Sequence, residues 1–91
     1  MIAQDFLVID TEGNPLLTEI AIVNSTGKVI YFTEVKQKGK IQPHAKPFLQ
    51  VLKEVSLLIQ NKTLIFHYAE HDLSVLKNSF KNQQIISPVF N

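Results

Sequence analysis

The sequence contains no cysteine and no arginine. Without cysteine there is no disulfide framework, no zinc–thiolate site and no cysteine nucleophile. A reducing, cytoplasmic location is permitted by that absence and is the expectation here. Without arginine every basic residue is a lysine, so bidentate phosphate clamps are excluded and any phosphate contact is to a point charge. Long apolar runs are missing too. Stretches such as Phe6–Ile9 and Ile20–Val23 fall far short of the ~20 residues a membrane span needs, and no membrane partner is expected. No charged start followed by an apolar stretch and a small-residue cleavage site opens the chain, so no secretory signal is visible. Internal repeats and low-complexity segments are absent as well.

What is present is 91 residues, 45% hydrophobic and 19% charged, which is the profile of one small globular domain over 1–91. A chain of this size buries roughly 60–65% of the surface it exposes when unfolded, so the core is thin. The net charge of +1 announces no partner, but its distribution is uneven. Asp5, Asp10, Glu12, Glu19 and Glu34 face only Lys28 up to residue 34, whereas eight lysines face Glu54, Glu70 and Asp72 in the remainder. An acidic part beside a basic part is compatible with a metal site next to a phosphate-binding surface, and equally with ordinary solvated lysines.

Asp5–Thr11 (DFLVIDT) reads as a buried central strand. Asn14-Pro15 is a turn signal. Leu16–Asn24 and Val29–Val35 read as two further strands, joined by the short turn Ser25-Thr26-Gly27-Lys28 and therefore antiparallel. Lys36–Pro43 is a basic loop whose Lys36, Lys38 and Lys40 read as solvated, with phosphate contact the alternative. Pro47 suits a helix start. Phe48, Leu52, Val55 and Ile59 form one helical face that Val51 and Leu58 widen, and Asn61 is a stop. Thr63–Tyr68 is a fourth strand. A second, shorter helix follows on Leu73, Leu76 and Phe80, opened by Asp72, and Ile85–Phe90 starts a fifth strand that Pro88 weakens. The order β-β-β-α-β-α-β is an α/β layout with a mixed sheet, strand four running parallel to strand one. Tyr31, Phe32 and Phe66 read as core aromatics, with stacking on bases the alternative.

Asp10 and Glu12 lie two apart at the end of the first strand, so their side chains share a face. Like charges so placed repel, and a bridging cation gives them a purpose. Hard oxygen ligands favour Mg²⁺ or Mn²⁺. A solvated strand end is the plain alternative. Asp72, at a helix start, is either a cap or a third carboxylate brought to the same place if strand four lies beside strand one. Two metals about 3.5–4 Å apart activate a water and stabilise a leaving oxygen in phosphodiester cleavage.

FLVIDTEGNPLLTEIAIVNSTGKVIYFTEV resembles the first motif region of the DEDD superfamily of 3′→5′ exonucleases, through Asp10, Glu12 and Glu19-Ile20-Ala21. TLIFHYAEHDLSVLK resembles the second motif, through His67, Ala69, Asp72 and Leu76. The resemblance implies a ribonuclease H-like fold, with Asp10, Glu12 and Asp72 as catalytic metal ligands for two Mg²⁺ or Mn²⁺ ions. It implies Thr11, Gly13, His67 and His71 near the substrate, a single-stranded or 3′-ended DNA or RNA. Two positions depart from the motif: Tyr68 stands where the family has Asn, and His71 where it has an aromatic before the Asp. The family's third motif, a His or Tyr base followed by a fourth carboxylate, matches no residue here. Neither His44 nor His71 sits where the family places its base.

The resulting expectation is a C-terminally incomplete, metal-dependent exonuclease-type domain that is weak or inactive by itself. The alternative is a non-catalytic nucleic-acid-binding or assembly module on a shortened fold, with self-association or a partner chain completing the sheet.

Overall fold

The computed structural model describes residues 5–86. Four strands, β1 (Phe6–Gly13), β2 (Leu17–Asn24), β3 (Val29–Glu34) and β4 (Thr63–Phe66), form one sheet in the order β3-β2-β1-β4. The first three make an antiparallel meander, and β4 runs parallel to β1 on its other side. Two helices, α1 (Phe48–Ile59) and α2 (Ala69–Asn82), complete the α/β architecture. The mixed sheet and the β1–β4 pairing agree with the sequence reading. Of the expected fifth strand, Ile85 and Ile86 are not in strand conformation, and Ser87–Phe90 lie outside the described residues.

Side-chain alternation decides where the core lies. Leu7 and Ile9 of β1, Ile20 and Ile22 of β2 and Leu64 of β4 occupy one face, as their pairings Ile9↔Ile22 and Leu7↔Leu64 require. They pack with Val51, Leu52, Val55 and Ile59 of α1 and Val75, Leu76 and Phe80 of α2 in a single core cluster. The opposite face stays open among the described residues. Its register places Val29, Val23, Val8 and Ile65 side by side in one row across all four strands. Val29 is 57% exposed and Ile65 46% exposed, and Phe32 in the next row is 60% exposed. Two expectations are corrected here. β1 is central but covered on one face rather than two, and Phe32 lies outside the core. A run of apolar residues looks the same in sequence whether one or both faces are covered.

The turns follow local chemistry. Asn24 Oδ1 accepts from the backbone N–H groups of Thr26 and Lys28 and from the Thr26 hydroxyl, and Gly27 takes φ +88. α1 starts after Pro47 and ends at Ile59, with Gln60 as its cap and Asn61 at φ 60 just beyond, the left-handed stop expected of Asn. α2 is longer than the sequence reading allowed and starts three residues earlier. The reason is Asp72: its Oδ2 reaches back to accept the Tyr68 N–H at 2.9 Å, which satisfies a donor one turn upstream. At the other end Ile85 N–H bonds Phe80 C=O and Gln84 N–H bonds Lys81 C=O, both at 3.1 Å, with Gln84 at φ 57. These are the two bonds of a Schellman stop. Ser79, fully buried on α2, accepts the Leu17 N–H at 2.9 Å and fastens the helix to the start of β2.

Candidate active site

The site forms where the C-terminal ends of the parallel neighbours β1 and β4 meet the start of α2. Along β1, Thr11 points to the helix face while Asp10 and Glu12 point to the open face and are exposed. The chain leaves β4 through His67, whose N–H bonds the Ile9 carbonyl at 3.1 Å, and enters α2 at Tyr68. Asp10, Thr11, Glu12, His67, Tyr68, His71 and Asp72 line one open cleft of about 270 Å³. Three carboxylates from segments sixty residues apart in sequence are therefore brought to one place, as β1–β4 adjacency demands.

They are not equivalent. Asp72 is 1% exposed. Its Oδ1 accepts the Thr11 hydroxyl at 2.6 Å and the Thr11 N–H at 3.2 Å, and its Oδ2 accepts the Tyr68 N–H. A buried carboxylate with three donors is well satisfied. Asp10 and Glu12 sit in front of it, open to solvent. Among the described residues no group of three or more His, Cys, Asp or Glu side chains is arranged to hold a metal ion. The donor chemistry that remains is a pair of exposed carboxylates with a clamped third behind them. That pair suits a Mg²⁺ or Mn²⁺ ion, which takes one or two carboxylates and fills its other positions with water or phosphate oxygen.

Other expected site residues divide. Thr11 is buried, with its hydroxyl spent on Asp72 rather than facing the cleft. Gly13 does not line the cleft. It has φ +127 at the β1 register shift, and a Cβ there would collide with the Leu16 carbonyl oxygen, so the turn itself requires glycine. His67 is exposed and lies just past β4 rather than within the expected Thr63–Tyr68 strand, because the β1 pairing ends at Phe66. His71 lines the cleft and stacks on Tyr68, ring centroids 6.4 Å apart and planes 20° apart. His44 is exposed on the β3–α1 connection and does not line the cleft.

Two features escaped the sequence reading. Glu12, Glu19 and Glu34 are directly opposed across β1, β2 and β3 and, with Lys40 and Gln42, line a second recess of about 270 Å³. This acidic row depends on strand register, which residue spacing alone does not show. The other is the exposure of Tyr68: the ring at this departure from the motif stands 65% exposed on the rim of the cleft.

No family model matches the chain. It is 33% identical over 95 aligned residues to a curated relative, RNA exonuclease 4 of Dictyostelium discoideum. That relative is named as an exonuclease. The match takes in 87% of this chain and 32% of that protein, so the chain spans about a third of the relative's length. The similarity suggests an exonuclease-family relationship.

Proposed function

We propose that the chain is a nuclease domain of the metal-dependent 3′→5′ exonuclease type, of the DEDD superfamily, acting on single-stranded or 3′-ended nucleic acid. The observation that carries this reading is the exposed Asp10–Glu12 pair at the mouth of a cleft whose wall is the clamped Asp72. Asp10 and Glu12 would hold Mg²⁺ or Mn²⁺, with Asp72 behind them; the ions supply charge stabilisation and an activated water. The chain's own part is positional. Thr11 and the Tyr68 N–H hold Asp72 in one rotamer, and β1 fixes the other two carboxylates on one face. In the reaction the water oxygen bonds to phosphorus and the bond from phosphorus to the 3′-oxygen of the preceding nucleotide breaks. A nucleoside monophosphate is released, and that 3′-oxygen takes up a proton. No residue here is assigned as the base, and this chain alone is expected to trim 3′ ends weakly or not at all. The test is a Mg²⁺ or Mn²⁺ titration followed by thermal melting. A rise in melting temperature at millimolar metal that Asp10→Asn abolishes supports the site, and no rise in the wild type overturns it.

A second reading is favoured by the open row Val29–Val23–Val8–Ile65. An uncovered apolar sheet face is a surface for assembly, and the chain would then be a non-catalytic module. In that case metal leaves the melting temperature unchanged, whereas the molar mass in sedimentation rises with protein concentration.

A further inference from the structure

We propose that Tyr68 is a stacking platform for the unpaired terminal nucleobase of the substrate, a specificity element resting on the nuclease reading above. Position 68 is the N-cap of α2, yet its side chain makes no capping hydrogen bond. Asp72 reaches back from the first turn of the helix to accept the Tyr68 N–H, the reciprocal half of a capping arrangement. The Tyr68 side chain thus makes no capping contact with α2, at a position where Ser, Thr, Asp or Asn would be the usual choice. Instead a large aromatic ring stands 65% exposed at the rim of the cleft that Asp10 and Glu12 line. Its orientation is set on one side by the offset stack with His71, a geometry favourable for two rings. At 65% exposure the residue keeps free surface on which a third ring can lie.

Exposed aromatics beside a carboxylate cleft have a direct use in nucleic-acid chemistry. Every base has a π-face, so stacking on tyrosine is tolerant of sequence. A base inside a duplex has both faces occupied by its neighbours, so this platform takes a terminal base, and one free of a partner strand can turn onto the ring. A phosphodiester bound through a cation on Asp10 and Glu12 would leave the adjoining base within reach of Tyr68, because all three residues border one cleft of about 270 Å³. With no arginine in the chain, guanidinium stacking on the base is not available, and the aromatic ring takes that role.

The experiment is a double-mutant cycle read by fluorescence anisotropy in millimolar Mg²⁺, with the length of the probes checked on a gel after each titration. The probes are a labelled single-stranded oligoadenylate and the same strand with an abasic 3′-terminal nucleotide. Tyr68→Leu and the abasic strand are each expected to weaken binding about tenfold, and together no further. Tyr68→Phe, which keeps the π-face, is expected to bind as the wild type. If the wild type binds the oligoadenylate but Tyr68→Leu binds equally well, or if the two losses multiply, the platform is wrong while the nuclease reading stands. If the wild type binds neither strand, the nucleic-acid reading fails and the platform fails with it. Tyr68 is exposed, so its variants are expected to melt as the wild type does, and circular dichroism checks this.

Discussion

Thr11 shows how one side chain links fold to site. It alternates inward between two outward carboxylates, and its hydroxyl meets Asp72 at 2.6 Å. Thr11→Val keeps the shape and removes the donor, leaving a buried carboxylate short of one hydrogen bond. A loss of about 1–3 kcal/mol in stability is expected from chemical denaturation, with Thr11→Ser recovering most of it. Asp10, by contrast, is exposed and bonded to no neighbour in the cleft, so Asp10→Asn is expected to change stability by no more than about 0.5 kcal/mol while removing the response to metal. The contrast between these two variants separates the residue that positions from the residues that face a ligand.

At the scale of elements, two electrostatic arrangements pull in opposite directions. Across β1, β2 and β3, Glu12, Glu19 and Glu34 stand directly opposed, and like charges so paired destabilise a sheet. Glu19→Gln breaks both contacts at once and is expected to raise stability by roughly 0.2–1 kcal/mol at low salt, with the gain shrinking as salt is added. Denaturation at two ionic strengths measures it. Between β3 and α1 the arrangement is favourable. Glu54 Oε1 accepts from Lys46 Nζ at 2.8 Å and from the Tyr31 hydroxyl at 2.7 Å, and Gln50 bonds its other oxygen. Lys46 also sits 5.2 Å from the centre of the Tyr31 ring. The bonds from Lys46, then Tyr31 and Gln50, hold the Glu54 carboxyl down from its ordinary 4.5 to about 2. Burial first, then the Glu54 carboxylate, push the Tyr31 phenol upward. Because the folded Glu54 value is the lower one, its contribution is complete above pH 4.5 and fades as the pH falls towards 2. Tyr31→Phe is expected to flatten the stability curve in that window, a change that acid titration of the melting temperature detects.

The whole molecule has one covered sheet face and, among the described residues, one open one. Val29, Ile65 and Phe32 keep large exposed areas on the open face, and none of the helices described is long and apolar enough to cross a membrane. An exposed apolar sheet face binds hydrophobic dyes. Native protein is therefore expected to enhance the fluorescence of such a dye, and Phe32→Ser combined with Ile65→Thr is expected to reduce the signal without altering the fold. Equal dye binding by the variant would place the apolar surface elsewhere.

Much of this molecule is legible from local spacing. Strand alternation, the face carried by Leu52, Val55 and Ile59, the Asn24–Lys28 turn and the shared face of Asp10 and Glu12 all depend on backbone geometry within one element. Sequence therefore determines them, together with the chemical inventory: lysine without arginine, carboxylates, no thiol. Tertiary structure decided the rest. Thr11 and Asp72 are separated by 61 positions, and nothing local says that one clamps the other. The Glu12–Glu19–Glu34 row arises from the register of three strands, which packing and turn geometry set together. The early start of α2 follows from a backward bond made by Asp72, and the exposure of Tyr68 and Phe32 from which surfaces the two helices reach. Periodicity describes what an element offers; burial and partnership depend on what lies opposite it in space.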